Sequence, residues 1–194
     1  MISDEDMEKE EFRELEYMSW GSKGKFNNLV VNGRVEELME KKMFVNIIKN
    51  RCVVIMEGYF EWKSKEEPFA FRPKEGDHFL VAGLYNDNNE IIILTKDATP
   101  ELSQVHSRMP VILSHEEVNL WMNPRNTKDI QKIINNAILK KDKPVWKNVG
   151  FAKIAPYVNK LNEKSVKCLM SFEDYKKELD KTGLMRFWKK APAV

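Results

Sequence analysis

The sequence predicts an α+β fold, in which a largely antiparallel β-sheet or barrel is flanked by helices. Short apolar runs separated by turn signals recur along most of the 194-residue chain, which is typical of strands joined as hairpins. Two segments in the second half of the chain place apolar residues at helical spacing instead. With 42% hydrophobic residues, a chain of this length can bury one sizeable core, and this favours one main domain.

Six segments have the composition of strands, because they are short, rich in apolar residues and bounded by polar residues, Gly or Pro. In chain order the predicted strands are Leu29–Asn32, Cys52–Met56, Pro68–Arg72, His78–Tyr85, Glu90–Thr95 and Phe151–Val158, the last interrupted by Pro156. Asn86–Asn89, between two of these strands, has the residue types of a hairpin turn.

Two helices are predicted after the last of the hairpins. The first covers His115–Trp121, where Ser114 can cap the amino end and Glu117 completes a capping box. The second covers Thr127–Lys140. Its apolar residues lie at helical spacing and predict a face turned towards the core; they are Ile130, Ile133, Ile134, Ala137 and Ile138.

Composition excludes several classes of protein. No stretch approaches the roughly 20 apolar residues needed to cross a bilayer, and the first residues lack the order of a signal peptide. The two cysteines, Cys52 and Cys168, and the three histidines show no zinc spacing. We therefore expect a reduced, intracellular protein with no membrane contact, no metal and no cofactor.

Charge divides the chain into three parts. Because the whole chain carries +2 and its first 16 residues carry −6, residues 17–194 carry about +8. We expect an acidic leader over residues 1–16, disordered or in a short helix, a main domain over residues 17–176, and a basic helix or tail over residues 177–194. A basic body is compatible with nucleic-acid binding, although many solvated proteins have lysine-rich surfaces.

Two short blocks contain the candidate catalytic residues. Gly58–Trp62 sets Glu61 between two aromatic residues, and the block that begins at His106 contains Arg108 before a run of apolar residues. A carboxylate and an imidazole held at the ends of rigid strands are the usual parts of a proton-transfer site. Ordinary alternatives exist for both: Glu61 can be a solvated edge residue, and His106 can be a core histidine with its hydrogen bonds satisfied.

Taken together, the two blocks resemble the SRAP family, the SOS-response-associated peptidases, whose eukaryotic members are abasic-site processing proteins. The resemblance rests on Gly-Tyr-Phe-Glu-Trp and His-x-Arg-Met-Pro at this separation, and it runs from about Trp20 to about Leu169. Further elements support it: Arg51–Val54 before the first block, Ile91–Thr95 and Ala98 before the second, the Asn-x-Arg-x-Glu element Asn32–Glu36, and the late pair Val158-Asn159.

The resemblance implies an SRAP fold and an unusual reaction with DNA. In the family, the amine and thiol of an exposed N-terminal Cys attack the ring-opened aldehyde of an abasic site in single-stranded DNA. The product is a thiazolidine, which links protein and DNA covalently. Carried over to the matching positions, Asn32 would position the N-terminal residue, Glu61 would shuttle protons, and His106 would assist ring opening and reversal of the link.

The same resemblance implies a set of DNA contacts. Arg34 and Arg108 would hold phosphates, Trp20 would line the DNA groove, and Thr95 would be a further DNA-binding residue. Plain structural roles remain open as well, since Asn32 could be a turn residue, Arg34 a surface charge and Trp20 a core residue.

The chain departs from the family pattern at its start. Ile2 stands where the family has Cys, and Ser22–Phe26 replaces the apolar-Pro-Trp sequence expected after Trp20-Gly21. Neither Cys52 nor Cys168 can take over, because thiazolidine closure needs the amine and the thiol on one residue. As written, the chain is not expected to form a thiazolidine; either an upstream piece is missing, or the covalent step has been lost.

The end of the chain contains a different motif. Leu184 stands three residues before the aromatic pair Phe187 and Trp188, which is similar to peptides that dock on the sliding clamp PCNA, with Lys181 where a Gln is usual. One helical turn would place the three apolar side chains on one face. The alternative is that this face packs on the domain itself.

Three hypotheses for function follow. The first is an abasic-site processing protein of the DNA damage response, a monomer that acts on single-stranded DNA, in the nucleus if the source is eukaryotic and otherwise in the cytoplasm. The second is an SRAP-fold protein that binds DNA without chemistry. The third is a peptidase that processes only itself, for which no Ser or Cys nucleophile with a paired base is visible in the sequence.

Overall fold

The computed structural model describes residues 14–24, 28–123, 130, 134–135, 144–155, 171, 173–174 and 176–177. Its strands are β1 Ser19–Trp20, β2 Ser22–Lys23, β3 Leu29–Val30, β4 Asn32–Arg34, β5 Arg51–Met56, β6 Tyr59–Ser64, β7 Glu67–Pro73, β8 Phe79–Tyr85, β9 Glu90–Asp97, β10 Arg108–Pro110 and β11 Val149–Lys153. The helices are α1 Lys42–Ile47, α2 His115–Met122 and α3 Pro144–Lys147, with 3₁₀ turns at Val35–Glu37 and Leu102–Gln104.

Strand β9 organises the larger sheet, which has six strands. One path through this sheet runs β1-β9-β8-β5, and β4 and β10 also pair with β9. Strands β1 and β4 run parallel to β9, whereas β8 and β10 run antiparallel to it. Segments from distant parts of the chain therefore meet along one strand, and this brings the Asn32–Glu36 and His106–Pro110 regions together.

A second, fully antiparallel sheet has the order β11-β7-β6. A short hairpin of β2 and β3 completes the described strands. The sheets form a curled half-barrel with helices at its side, so the predicted α+β fold with a largely antiparallel sheet is confirmed.

The hydrophobic residues form two clusters on either side of the larger sheet. The first lies between this sheet and the helices and includes Leu84, Leu94 and the fully buried Trp121 of α2. The second lies between the two sheets and is rich in aromatic rings; it includes Phe71, Phe79, Val81, Ile93, Met109 and Trp146. Tyr59, two residues before Glu61, packs against this second cluster.

A buried arginine joins the carboxyl ends of the two longer helices to the sheet. Arg51, at the start of β5, donates hydrogen bonds to the carbonyl oxygens of Ile48, after α1, and of Trp121 and Asn123, at the end of α2. These carbonyls have no intrahelical donors, and the negative end of each helix favours a cation.

The predicted strands are confirmed, with differences at their ends. The segment Leu29–Asn32 is divided between β3 and β4, and Phe151–Val158 corresponds to a strand that begins at Val149 and is described only to Lys153. The capping box of α2 is present as predicted, with Glu117 N–H donating to Ser114 Oγ and Ser114 N–H donating to the Glu117 carboxylate. Helix α1 was not predicted.

Only parts of the second predicted helix, Thr127–Lys140, can be compared. Ile130 and Ile134 are both buried in the first cluster, and this agrees with a face turned to the core. The other residues of the apolar face lie outside the described residues. Within the part of the chain that the structure describes, no helix is long and apolar enough to span a membrane.

Candidate functional site

Glu61 and His106 meet where the two sheets approach each other. Glu61 lies in β6 of the smaller sheet, and His106 lies in the loop before β10 of the larger sheet. His106 Nδ1 is 3.6 Å from Glu61 Oε2, and the two side chains are 41% and 25% exposed. The structure therefore brings the two predicted proton-transfer residues into contact, although they come from separate sheets.

The surroundings of Glu61 disfavour its charge. Burial raises the pKa of the Glu61 carboxyl above its ordinary value, and the nearby His106 partly offsets this effect. Tyr59 lies two positions earlier on the same face of β6 and stacks on Phe71, with ring centroids 4.7 Å apart. Glu61 therefore lies beside stacked aromatic rings. Its carboxyl group stays protonated to a higher pH than the carboxyl group of an exposed Glu does.

The Tyr59 hydroxyl is another polar group beside these rings. It is buried, and among the described residues it has no hydrogen-bond partner. Burial, and secondly the charge of Glu61, raise the pKa of Tyr59 well above its ordinary value, so its hydroxyl stays protonated. Tyr59 thus contributes apolar surface and a neutral hydroxyl to the site.

His106 is held by the backbone two residues further along the chain. Its Nδ1 atom is 3.2 Å from both the N–H and the carbonyl oxygen of Arg108. An unprotonated Nδ1 can accept from the Arg108 N–H, whereas a protonated Nδ1 can donate to that carbonyl or to Glu61. Both protonation states of this nitrogen therefore have partners, which suits a group that gains and loses a proton.

Asn32, Arg34 and Thr95 lie on one face of the larger sheet. In the parallel register of β4 with β9, Asn32 is opposite Ile93 and Arg34 is opposite Thr95. Gly33 lies between them, and a side chain at this position would point to the opposite face, into the first hydrophobic cluster. If Gly33 were replaced, the new Cβ atom would lie 3.1 Å from the Phe44 ring. Because Gly33 packs so closely, its two neighbours are turned outwards, and Asn32 and Arg34 are exposed.

The two predicted phosphate-binding arginines have different surroundings. Arg34 is 63% exposed at its side chain and lies 3.8 Å from the Glu37 carboxylate, a loose surface pair. The Arg108 side chain is 17% exposed and is held by Glu36, Asp97 and the Thr95 carbonyl. We call these four residues the Arg108 cluster.

Trp20 is placed on the surface and is not a core residue. Its side chain is 59% exposed, and its indole N–H donates a 3.0 Å hydrogen bond to the carbonyl of Val31, the residue before β4. The ring is therefore held by its polar edge next to Asn32 while much of its surface faces solvent. Such a ring can stack against an unpaired base.

Glu36 and Asp97 are parts of the site that were given no role in the sequence analysis. Glu36 is the last residue of the Asn-x-Arg-x-Glu element, and Asp97 ends β9 two residues after Thr95. The position of Glu36 in that element was an available signal. No comparable signal pointed to Asp97, because its contact with Arg108 depends on the pairing of β10 with β9.

Other sequence predictions lie outside the described residues. They concern the clamp-like residues Leu184, Phe187 and Trp188, the pair Val158-Asn159 and most of the acidic leader. Among the described residues, no three His, Cys, Asp or Glu side chains are grouped so that they could hold a metal ion.

A family model described as SOS response associated peptidase (SRAP) matches residues 2–161 of the chain. The chain belongs to the SRAP family. The SRAP match includes Trp20, Asn32, Glu61, His106 and Arg108, and it begins earlier than the motifs of the sequence analysis, which start at Trp20.

Several SRAP relatives have a name that states an activity. The chain is 31% identical over 121 residues to "Abasic site processing protein YoqW" of Bacillus subtilis, covering 56% of this chain and 54% of the relative. It is 29% identical over 188 residues to "Abasic site processing protein HMCES" of Mus musculus, covering 76% of this chain and 51% of the relative. The chain thus spans about half the length of these relatives.

Solved structures support the SRAP fold. A crystal structure of a protein from Bacteroides thetaiotaomicron matches with a TM-score of 0.58 and 26% identity, covering 71% of this chain and 65% of that one. A phage-related protein from Bordetella bronchiseptica matches with a TM-score of 0.56 and 21% identity, covering 71% and 70%. The second likeness shows the fold alone.

Proposed function

We propose that this protein processes abasic sites in single-stranded DNA, and that Glu61 and His106 transfer the protons of that reaction. The observation that carries the proposal is the 3.6 Å contact between His106 Nδ1 and Glu61 Oε2 at a partly exposed position. Membership of the SRAP family and the names of the relatives supply the class of substrate.

Two proton transfers are needed to expose the aldehyde of an abasic sugar. Opening the cyclic form breaks the bond between C1′ and the ring oxygen, takes a proton from the C1′ hydroxyl and delivers one to the ring oxygen. A carboxyl that retains a proton can act as the acid, and a neighbouring imidazole can act as the base. The raised pKa of Glu61 and the two-state hydrogen bonding of His106 meet these requirements.

The same pair can serve the steps that follow. An amine that adds to the aldehyde forms a carbinolamine, and loss of water then gives a Schiff base. The nitrogen must lose a proton and the departing hydroxyl must gain one, so a single acid–base pair can assist both events. We propose that Asn32, exposed at the start of β4, orients the attacking group by hydrogen bonding.

DNA would lie across the exposed face that carries Trp20, Arg34 and Thr95. An unpaired base can stack on the indole of Trp20, and the guanidinium of Arg34 can bind a phosphate because Glu37 holds it only loosely. This arrangement favours single-stranded DNA, since bases in a duplex already stack on each other. Association with a sliding clamp through Leu184, Phe187 and Trp188 remains a separate prediction.

The first experiment uses a 5′-labelled single strand with one abasic site, incubated with the 194-residue protein and analysed on denaturing and native gels. We expect processing of the abasic strand, seen as strand cleavage or as a shifted band after borohydride reduction of the Schiff base, and no processing of an intact strand. Glu61→Gln should slow processing by about 10²–10⁴-fold while native-gel binding is retained.

Three other outcomes would be informative. Binding on the native gel without processing would support the alternative of an SRAP-fold DNA-binding protein without chemistry. Processing that is unchanged in Glu61→Gln would contradict the role given to Glu61. Trp20→Ala should weaken single-strand binding by about 1–3 kcal/mol, or roughly 5–150-fold, and unchanged binding would remove the stacking role.

A further inference from the structure

A cavity of about 250 Å³ lies between the start of β6 and the end of β7, in the smaller sheet. The residues that line it include Glu57, Gly58, Phe60, Ala70 and Arg72. Phe60 stands between Tyr59 and Glu61, and successive side chains of a strand point to opposite faces of its sheet. The Phe60 ring therefore lies on the face of the smaller sheet that is opposite to Glu61.

Three of the lining side chains share this face. Ala70 is opposite Phe60 in the antiparallel register of β6 with β7, and Arg72 follows Ala70 by two positions on the same strand. We call this face the outer face and the cavity on it the outer-face pocket. Phe60 supplies an aromatic side of the pocket, Ala70 a small apolar floor and Arg72 a charged rim.

Gly58 lets the Arg72 side chain lie across the edge of the smaller sheet. A Cβ atom at Gly58 would be 3.1 Å from Arg72 Cγ and would clash with the carbonyl oxygen of Phe71. The stem of Arg72 therefore passes directly over the backbone that leads into β6. Among the described strands, β6 pairs with β7 alone, so the guanidinium is placed near a free edge of the sheet.

The Phe60 ring lacks the aromatic partners that the other rings of this sheet have. On the inner face, Phe71 stacks on both Tyr59 and Phe151. Phe60 is half-buried and belongs to neither hydrophobic cluster, and its ring contacts no other aromatic ring in the part of the chain that the structure describes. A face of this ring is therefore available to a planar ligand.

The Arg72 guanidinium also lacks a partner. Arg72 is exposed, and its side chain makes no ion pair and no hydrogen bond with any described residue. Two lysines of the same region differ from it, because Lys74 lies 4.0 Å from a Glu101 carboxylate oxygen and Lys153 lies 2.6 Å from one of Glu67. The donors of Arg72 can thus bind a ligand without breaking a contact inside the described part of the protein.

The chemistry of the outer-face pocket fits an unpaired nucleobase. A base has a flat face that can stack on Phe60, and its edge has both acceptors for Arg72 and donors for the exposed carboxylate of Glu57. The cavity is smaller than the roughly 300–1,000 Å³ of ordinary small-molecule sites, and this suits a single ring system. A phosphate fits less well, because the Glu57 carboxylate lines the same cavity.

We propose that the outer-face pocket binds an unpaired base of the DNA strand whose abasic site lies at Glu61, with Phe60 stacking on the base and Arg72 donating hydrogen bonds to its edge. This inference rests on the proposed function and adds a base-binding subsite to it. Because Phe60 is adjacent to Glu61 and β6 lies at the edge of its sheet, the strand turns round this edge, and the bound base belongs to a nucleotide close to the lesion.

The test removes one base at a time from the strand. Each single strand has a tetrahydrofuran analogue, which cannot open, in place of the abasic sugar, and a propanediol spacer in place of one flanking nucleotide. Affinity is measured at one fixed salt concentration. For the wild-type protein we expect one flanking position at which loss of the base lowers affinity about 5–150-fold, the range for one stacked base.

Variants then show where this base is bound. Phe60→Ala should weaken binding of the strand without a spacer by a similar factor, and should lose nothing further when the spacer is at that position. Arg72→Gln should give the same pattern with a smaller loss, and it covers the case in which Phe60→Ala does not fold. Lys49→Gln, which removes the same charge at an exposed position after α1, should respond to each spacer as the wild type does.

Two results would overturn the subsite. The first is that the variants at Phe60 and Arg72 lose as much affinity as the wild type does at every spacer position. The second comes from 5-iodouracil placed at the sensitive position: irradiation should cross-link the strand to the peptide that contains Phe60, and cross-links confined to other peptides would contradict the proposal. These strands cannot react, so failure of the proposed function appears separately, as no processing of a natural abasic strand by the wild-type protein.

Discussion

Glu61 and Arg108 both contact Nδ1 of His106, Glu61 through its carboxylate and Arg108 through its backbone N–H, and their side chains are only 25% and 17% exposed. Arg108 has an acceptor for each terminal N–H of its guanidinium, and although burial opposes its charge, Glu36 and Asp97 raise its pKa. Glu61 has one ionisable neighbour, His106, at 3.6 Å, and burial raises the pKa of the Glu61 carboxyl. Arg108 is therefore held in its protonated, charged form, whereas the Glu61 carboxyl can gain or lose a proton nearer to neutral pH.

This difference places a fixed charge and a titratable carboxyl within one small region. A charge network in which every terminal N–H of the guanidinium has an acceptor orders the elements around it, since a rearrangement would leave a partly buried charge with fewer partners. A carboxyl with incomplete compensation exchanges its proton at a pH nearer to neutral. The two groups are joined by His106, whose Nδ1 contacts both the Arg108 backbone N–H and the Glu61 carboxylate.

The largest expected effect comes from removing the carboxyl group of Glu61. Glu61→Gln preserves the shape of the side chain but cannot give or take a proton, so we expect processing of an abasic strand to slow by about 10²–10⁴-fold. Single-turnover kinetics at saturating DNA would measure this. Glu67→Gln, which changes a half-buried carboxylate of β7 paired with Lys153, is the control and should retain the wild-type rate.

A smaller effect should follow when the Arg108 cluster loses one carboxylate. Glu36→Gln leaves the partly buried guanidinium with less compensation, and we expect the free energy of unfolding to fall by about 1–2 kcal/mol. Glu37→Gln is a matched control, because Glu37 pairs with Lys41 and Arg34 at the surface and such pairs contribute about 0–1 kcal/mol. Equal losses of stability in the two variants in urea denaturation would contradict the distinction made between them.

The pH dependence of stability should also report the raised pKa of Glu61. Between the ordinary Glu value of 4.5 and the higher value in the folded protein, the folded state holds a proton that the unfolded state has lost. The free energy of unfolding therefore decreases as pH rises through this window, and this contribution is absent in Glu61→Gln. Denaturation of both proteins from pH 4 to pH 8 should show the variant gaining stability relative to wild type as pH rises; a gain on acidification instead would reverse the assigned direction.

The smallest effect is expected at the stacked aromatic rings. Tyr59→Phe removes a buried hydroxyl for which the described residues supply no hydrogen-bond partner, and it keeps the stacking on Phe71. We expect the free energy of unfolding to stay the same or rise by up to about 1 kcal/mol. A loss of more than this in thermal denaturation would indicate that the hydroxyl does have a partner in solution.

Local patterns made much of this architecture predictable. The strands that form hairpins around Asn86–Asn89 and the capping box at Ser114 and Glu117 depend on residues close together in sequence, and the structure has them as predicted. Helix α1, Lys42–Ile47, was not predicted from the sequence. It has only six residues, of which Phe44 alone is buried, so it is too short to show a clear helical period of apolar residues.

The sequence by itself determined the α+β class, the strand and turn pattern, the SRAP motifs and the choice of Glu61 and His106 as a proton-transfer pair. Only the tertiary structure decided that these two residues touch across two sheets, that Trp20 is exposed, and that Arg108 is bound by Glu36 and Asp97 while Arg34 is held loosely. The physical reason is that strand and turn propensities act between near neighbours. The state of a charge depends instead on burial and on partners that strand pairing brings from distant parts of the chain.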